Sequence, residues 1–143
     1  MQQARHLSFY CFTDGSSFGN PGPTGGGAAV YLEGYSCQRV LLNKGVSKIG
    51  NNFSGEIVGI EIAVDFLVEA SHIQDKKIHL FTDCQSTIIS VFYKETPAYK
   101  VETVLKITGN IGLLEDSRNT VAVHWIPGHE SLKGNELADQ QAK

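Results

Sequence analysis

The 143-residue sequence has neither the cysteine pattern nor the long apolar runs that mark disulfide-stabilised or membrane-spanning proteins. Its three cysteines are odd in number and far apart, which argues against a disulfide framework and against a zinc site. No apolar run approaches the roughly 20 residues of a membrane span. Residues 1–6 are too short and too polar for a signal peptide. We therefore expect an intracellular protein of a reducing compartment, cytoplasm or nucleus, that is not secreted and has no membrane partner.

Positive charge is also scarce in this chain. Twelve lysines and arginines against 15 aspartates and glutamates give a net charge of −3, without a strong basic run. The sequence thus lacks the basic footprint that is usual for a protein that binds duplex nucleic acid. Nucleic acid is not excluded, because divalent cations held by carboxylates would reduce the negative charge presented to a phosphate. Any such binding should then depend on the metal.

The composition is that of a globular chain, with 41% apolar and 19% charged residues. A length of 143 residues is enough for one hydrophobic core without disulfides or structural metal. We therefore predict a single domain over residues 1–143, with residues 1–6 as a disordered edge segment, and we expect a monomer.

The spacing of apolar residues predicts alternating strands and helices. The predicted strands span residues 7–13, 25–32, about 35–46, 78–82 and 120–126. The predicted helices span residues 54–70, 85–93 and 99–115, with a last helix from about 136. Three hairpin-linked strands come first, and helices separate the later strands. This order predicts an α/β fold with a five-stranded mixed sheet, antiparallel and then parallel, flanked by helices.

The tripeptide Phe-Thr-Asp occurs twice, and each copy closes an apolar stretch that is typical of a buried strand. Its aspartates, Asp14 and Asp83, would therefore stand at strand ends. Catalytic groups of open α/β sheets gather beyond the carboxyl ends of neighbouring strands, so we expect these carboxylates to share one site. Like charges are tolerated there only if one is protonated or a cation lies between them, and oxygen ligands of this kind suit Mg²⁺ or Mn²⁺.

Helical geometry places two further carboxylates at the same end of the sheet. Glu56 lies in the opening turn of the first long helix, near the sheet crevice. Glu61 comes five residues later and is rotated by roughly 140°, so only one of the two can face the same point, and we choose Glu56. Asp139 lies within about the first turn of the last helix, with Asn135 as its N-cap. We therefore expect a cluster of four carboxylates.

Two loops carry further candidate residues. A loop rich in glycine and proline follows the first Phe-Thr-Asp, and it includes Gly15, Ser16 and Asn20. Its small residues would let a bulky substrate approach the backbone, although a plain hairpin connection would have the same composition. It is not a P-loop, since no Gly-Lys-Ser/Thr follows it. His129 lies in the second loop, and histidine is the side chain whose ordinary pKa suits proton transfer near neutrality.

Five short motifs run through the chain in a characteristic order. They are Phe-Thr-Asp-Gly-Ser at 12–16 with Gly-Asn-Pro-Gly-Pro at 19–23, Asn-Asn at 51–52 ahead of Glu56, Thr-Asp-Cys-Gln at 82–85, Trp-Ile-Pro-Gly-His at 125–129, and Gly-Asn-Glu-Leu-Ala-Asp at 134–139. In this order and at these separations, they resemble the type 1 ribonuclease H family over residues 9–143. The final segment is most similar to the ribonuclease H domains of retroelements that carry a reverse transcriptase.

The resemblance implies an endonuclease that cuts the RNA strand of an RNA–DNA hybrid and leaves 5′-phosphate ends. It assigns catalysis to four metal-binding carboxylates and a loop histidine, which are Asp14, Glu56, Asp83, Asp139 and His129. The carboxylates would hold two Mg²⁺ ions, and Mn²⁺ could take their place. The implied contacts to the substrate are made by Gly15, Ser16, Asn20, Asn52 and Gln85.

The biological setting is a separate expectation. The final motif, the glutamine-rich start and the end four residues after Asp139 favour the ribonuclease H domain of a retroelement polyprotein, beside a reverse transcriptase domain. No basic insertion lies between Tyr93 and Lys106, so the chain alone should bind a hybrid weakly. The alternatives are a free-standing cellular ribonuclease H, a non-catalytic nucleic-acid-binding domain of the same fold, a related nuclease that acts on DNA, and a flavodoxin-like cofactor binder.

Overall fold

The computed structural model describes residues 8–17, 22–32, 39–50, 52–70, 73–92, 101–127 and 133–143. Its strands are β1 (Ser8–Ser17), β2 (Gly22–Leu32), β3 (Arg39–Gly50), β4 (Lys77–Thr82) and β5 (Thr120–Trp125). Its helices are α1 (Asn52–Glu69), α2 (Gln85–Phe92), α3 (Val101–Asp116) and α4 (Lys133–Ala142). The predicted edge segment 1–6 and the loop residues Asn20 and His129 lie outside the described residues. None of the described helices combines the length and the apolar character needed to cross a membrane.

The strands form one mixed sheet in the order β3-β2-β1-β4-β5. β1 to β3 pair antiparallel, whereas β4 pairs parallel to β1 and β5 parallel to β4. The predicted fold, antiparallel at one edge and parallel at the other, is therefore confirmed. The parallel pairing of β1 with β4 ends at Phe12 opposite Phe81, so both strands lead their following residues to the same edge of the sheet.

The two faces of the sheet are covered differently. α1 and α3 pack together over the apolar face, where the core includes Cys11, Ile57, Ile60, Leu80 and Ile107. Burial raises the pKa of the Cys11 thiol to about 12, which keeps this cysteine unreactive. α4 packs on β1, β2 and β3 from the other side, because consecutive residues of β2 face α1 and α4 in turn.

α1 lies unusually close to the sheet because glycines line the contact. A Cβ at Gly26 would lie 2.6 Å from the amide nitrogen of Gly59, and a Cβ at Gly59 would lie 2.7 Å from the carbonyl oxygen of Asp14. Neither position can hold a side chain without moving the helix. This close packing carries the first turns of α1, including Glu56, to the edge where β1 and β4 separate.

β2 begins earlier, at Gly22, and β3 ends later, at Gly50, than the sequence predicted, and two further wrong boundaries bear on the site. β1 continues to Ser17, so Asp14 lies inside the strand, because the β2 residues opposite it supply ladder partners beyond that point. α4 begins at Lys133, so Asn135 is inside the helix and is not its N-cap, and Asp139 falls in the second turn.

Candidate active site

Three carboxylates from three separate elements meet at the edge of the sheet. Oxygen atoms of Asp14, Glu56 and Asp83 all lie within 4.8 Å of one another, with Asp14 and Glu56 buried and Asp83 partly exposed. Asp14 and Asp83 each come two residues after the last β1–β4 pair, Phe12 opposite Phe81. The equal offset from a shared parallel register explains why residues that are far apart in sequence converge.

Glu56, and not Glu61, points into this cluster. Glu61 is buried on another side of α1, where its two carboxylate oxygens accept hydrogen bonds from Lys44 (3.1 Å) and Lys106 (3.4 Å). Five residues of helix separate the two glutamates, which rotates them away from each other. Glu61 is thus neutralised by cations of β3 and α3, while Glu56 faces two other acids.

Burial raises the pKa of Asp14 to about 6, and the negative charges of Asp83 and Asp139 add to this effect. Two hydrogen bonds act in the opposite direction, one shared with Glu56 and one donated by the backbone N–H of Gly15 to Oδ1 at 2.9 Å. Asp14 is therefore held by the backbone and is close to its protonation point at neutral pH.

Glu56 is the most strongly perturbed acid of the cluster. Burial raises its pKa to about 11, and the charge and hydrogen bond of Asp14 and the charge of Asp83 contribute in the same direction. Its Oε2 atom is buried and has no hydrogen-bond partner in the described part of the chain. An unpaired buried oxygen beside two more carboxylates is costly unless it is protonated or binds a cation. The donor set, all carboxylate oxygen, fits Mg²⁺ or Mn²⁺.

The fourth predicted carboxylate stands apart from the other three. Asp139 is on α4, and its Oδ2 forms an ion pair with Nζ of Lys143 at 2.9 Å. Lys143 comes four residues later in the chain. Asp139 does not belong to the group of Asp14, Glu56 and Asp83, whose carboxylate oxygens lie within 4.8 Å of one another. Its charge still raises the pKa of Asp14, so it faces the same region. The structure therefore brings three of the four predicted acids together and leaves Asp139 at the rim, paired with a lysine.

Trp125 supports the cluster, a role that the sequence reasoning did not assign to it. Its indole Nε1–H donates to the carbonyl oxygen of Asp83 at 3.2 Å, and 49% of the residue remains exposed. The neighbouring backbone is held as well, since the N–H of Ile126 donates a hydrogen bond to the carbonyl oxygen of Thr82. The N–H of Cys84 donates another to the side-chain hydroxyl of Thr82. The turn that carries Asp83 is thus fixed from β5. A tryptophan at the very end of the last parallel strand was the available signal.

The predicted substrate residues have different positions. Gly15 lies in β1, and a Cβ there would overlap the backbone of Gly55 and Glu56. The absence of a side chain at this position allows α1 to pack directly against β1. Ser16 follows it and is partly exposed, while Gln85 is exposed at the start of α2. Asn52 is the first residue of α1, and its side chain is outside the described part. Ser16 and Gln85 each lie within two residues of a cluster carboxylate along the chain.

Comparison with known proteins gives a consistent result. The family model described as RNase H matches residues 7–143. A protein named Ribonuclease H from Ruthia magnifica subsp. Calyptogena magnifica is 32% identical over 139 residues, which cover 92% of this chain and 90% of the relative. A Ribonuclease H from Oleidesulfovibrio alaskensis is 32% identical over 146 residues, covering 92% of this chain and 86% of that protein.

Solved structures share the fold. The N-terminal RNase H domain of a Mycobacterium tuberculosis protein, fused to maltose binding protein, superposes with a TM-score of 0.75 at 18% identity, covering 94% of this chain and 95% of that one. LC11-RNase H1 in complex with an RNA/DNA hybrid gives a TM-score of 0.74 at 18% identity, with 92% and 94% covered. The match of the family model across nearly the whole chain settles the assignment: the chain belongs to the RNase H family.

Proposed function

We propose that this chain is a divalent-metal-dependent endonuclease that hydrolyses the RNA strand of RNA–DNA hybrids. The observation that carries the proposal is the meeting of Asp14, Glu56 and Asp83 within 4.8 Å, with a buried oxygen of Glu56 left unpaired. Three ionised carboxylates so placed would repel one another, and a cation bound between them would relieve that repulsion. Membership of the RNase H family and relatives named Ribonuclease H support the choice of reaction.

The three clustered carboxylates would hold Mg²⁺ or Mn²⁺, and Asp139 would join them by releasing Lys143. Bound divalent ions supply Lewis-acid chemistry, which lowers the pKa of an attacking water and stabilises the oxygen that leaves. The protein itself fixes the ligands, through the Gly15 N–H on Asp14 and the Trp125 indole on the Asp83 backbone. His129 would deliver a proton to the departing 3′ oxygen, which leaves a 5′-phosphate on the other product.

Selection of RNA would depend on contacts to the 2′-hydroxyl and on the shape of the hybrid groove, and not on base edges. Ser16 and Gln85 are the described polar residues next to the carboxylates in sequence, and Asn20 and Asn52 are proposed to act with them. The chain of LC11-RNase H1 that shares this fold was solved with an RNA/DNA hybrid, which supports the same substrate class here.

The relatives support a cellular ribonuclease H better than a retroelement domain. The named relatives are bacterial proteins called Ribonuclease H, and this chain covers 90% and 86% of the two described above. We therefore favour the free-standing alternative over the expected polyprotein origin and its reverse transcriptase partner. Either origin requires the same carboxylate cluster and the same reaction.

A cleavage assay with an RNA strand labelled at its 3′ end tests the proposal. The labelled strand is presented as an RNA–DNA hybrid, as duplex RNA and alone, with a labelled DNA duplex in parallel. We expect cleavage of the hybrid only, dependent on Mg²⁺ or Mn²⁺ and abolished by chelator, with 5′-phosphate ends. Metal-dependent cutting of the DNA duplex would replace the proposal with a DNA nuclease. Binding of the hybrid without cleavage in the presence of either divalent ion would instead support a non-catalytic nucleic-acid-binding domain.

A further inference from the structure

A second group of metal-ligating side chains lies on β4 and β5, apart from the carboxylates. His79 Nδ1 and His124 Nε2 are 2.9 Å apart, and their ring centroids are 5.1 Å apart. The proposed hydrolysis uses neither residue. Both rings are partly buried, so the pair is neither free on the surface nor sealed in the core.

The sheet register places the two rings together. Phe81 lies directly opposite His124 in the parallel β4–β5 pair, and His79 is two residues before Phe81 on the same face. Stacking then limits how the rings can turn. The His79 ring stacks on Tyr10 with centroids 5.4 Å apart and planes 13° apart, and the His124 ring stacks on Phe81 at 5.0 Å and 24°. Two imidazoles are thus held by neighbouring strands and by aromatic neighbours.

We propose that His79 Nδ1 and His124 Nε2 form a binding site for a late first-row divalent ion, with Cu²⁺ preferred over Ni²⁺ and Zn²⁺. Metal–imidazole bonds of about 2.0–2.1 Å at a right angle bring two nitrogens to about 2.9 Å, whereas tetrahedral geometry separates them by about 3.3 Å. The observed 2.9 Å separation matches the right angle of a tetragonal site. Tetragonal geometry with nitrogen ligands is characteristic of Cu²⁺ and Ni²⁺, and Cu²⁺ binds most strongly in this series.

Binding requires both nitrogens as lone-pair donors. The proton now shared between them must move to the remote nitrogen of one ring or to solvent, so that both imidazoles are neutral. Each ring must also turn, because the nitrogens that now face each other along the hydrogen bond have to face the metal. In the described part of the chain, no third histidine, cysteine or carboxylate lies close enough to complete a three-ligand group with this pair. Water would therefore fill the remaining positions.

The ligand chemistry separates this site from the carboxylate cluster. Imidazole suits Cu²⁺, Ni²⁺ and Zn²⁺, whereas Mg²⁺ prefers oxygen ligands. Excess Mg²⁺ should therefore occupy the cluster of Asp14, Glu56 and Asp83 without competing at His79 and His124. The proposal also stands without the proposed hydrolysis, because it rests on the geometry of the two rings alone.

The test is a titration of the whole chain with Cu²⁺ in excess Mg²⁺, followed by electron paramagnetic resonance and thermal unfolding. We expect one tightly bound Cu²⁺ per chain, a tetragonal spectrum with coupling to two imidazole nitrogens, and a higher melting temperature. His79→Phe and His124→Phe keep an aromatic ring in the stack but remove one ligand each. Each variant should lose the two-nitrogen spectrum and the thermal shift, while His72→Gln serves as the histidine control and should retain both.

Three results would overturn the proposal: no saturable Cu²⁺ binding, a spectrum from oxygen ligands only, or a two-nitrogen spectrum that survives both substitutions. Circular dichroism of each metal-free variant shows whether it has folded. If one variant fails to fold, the other single variant and the nitrogen count of the unsubstituted chain still decide the outcome. A pair that remains hydrogen-bonded and binds no ion would be only a structural contact between β4 and β5.

Discussion

Magnesium should stabilise this protein, and the stabilisation should increase with pH. Without a cation, burial keeps a proton on Glu56 at neutral pH, and Asp14 is near its protonation point. Mg²⁺ must displace these protons before it can bind the carboxylates. Raising the pH makes that displacement easier, so the apparent dissociation constant for Mg²⁺ should fall as pH rises.

The magnitude follows from one released proton. If Mg²⁺ binding releases one proton, that of Glu56, the affinity for Mg²⁺ rises about tenfold between pH 7 and pH 8, which is about 1.4 kcal/mol. A chain of 143 residues has an unfolding entropy of about 300 cal/mol/K near its midpoint, at about 2.1 cal/mol/K per residue. The shift in melting temperature caused by saturating Mg²⁺ should therefore grow by about 5 °C over that pH unit.

The metal-free protein should show the opposite trend. Both acids have a folded-state pKa above the ordinary value of 3.8 or 4.5, so the folded state binds more protons than the unfolded state. Their contribution to the free energy of unfolding is fully present below those ordinary values and is lost as pH rises toward the raised pKa values. For Asp14, that loss falls between about pH 4 and pH 6, so the loss that remains above pH 6 comes from Glu56.

Differential scanning fluorimetry at pH 6, 7 and 8, with and without Mg²⁺ at constant ionic strength, measures both trends. Glu56→Gln should raise the metal-free melting temperature at pH 7, because it removes the cost of protonating this acid on folding, and should remove most of the Mg²⁺ shift. Glu115→Gln, an exposed position on α3, is the matched control and should behave like the unsubstituted chain. A Mg²⁺ shift that is absent, or the same at all three pH values, would refute the reasoning.

Three further predictions concern the Trp125 contact beside the cluster, the packing of α1 on the sheet, and the Asn119 hydrogen bonds at the start of β5. Trp125→Phe removes the 3.2 Å hydrogen bond to the Asp83 carbonyl, worth about 0.5–1.5 kcal/mol, so hybrid cleavage should need a severalfold higher Mg²⁺ concentration and recover when Mg²⁺ saturates. A metal titration of the cleavage rate checks this, and a loss that Mg²⁺ does not reverse would contradict it. Gly26→Ala forces a Cβ to within 2.6 Å of the α1 backbone and should cost about 1–3 kcal/mol in urea unfolding. Gly45→Ala, where nothing lies within 4 Å of the added Cβ, should cost less, and equal costs would argue against close helix packing. Asn119→Ala removes two hydrogen bonds to the carbonyls of residues 73 and 114 (3.0 and 2.8 Å) and one from the N–H of residue 76 (3.0 Å). It should lower the free energy of unfolding by about 1–3 kcal/mol, and an unchanged urea midpoint would show that these bonds contribute little.

The alternation of strands and helices was predictable because it depends on local patterns. Apolar spacing of two and of 3.6 residues located all nine elements that the structure describes. The end of β1 was not predictable, since it depends on the partner residues in β2 and not on Asp14 itself. The start of α4 was likewise wrong, because Asn135 matches an N-cap pattern although the helix already begins at Lys133.

The convergence of the acids was predictable in part. The repeated tripeptide placed Asp14 and Asp83 at one sheet edge, and helical rotation distinguished Glu56 from Glu61. The pairing of Asp139 with Lys143 depends on side-chain positions that sequence spacing does not determine. The indole contact of Trp125 with Asp83 and the His79–His124 pair depend on the β4–β5 register, which no local pattern reveals.

The most direct test of the account is the rate of hybrid cleavage by Asp83→Asn in Mg²⁺. Asp83 supplies one of three carboxylates within 4.8 Å, and asparagine keeps its volume while removing its charge. We expect a folded protein whose Mg²⁺-dependent cleavage is lost, whereas Asp116→Asn, an exposed acid at the end of α3, should cleave like the unsubstituted chain. Near-normal cleavage by a folded Asp83→Asn variant would contradict the assignment of this cluster as the metal-binding active site.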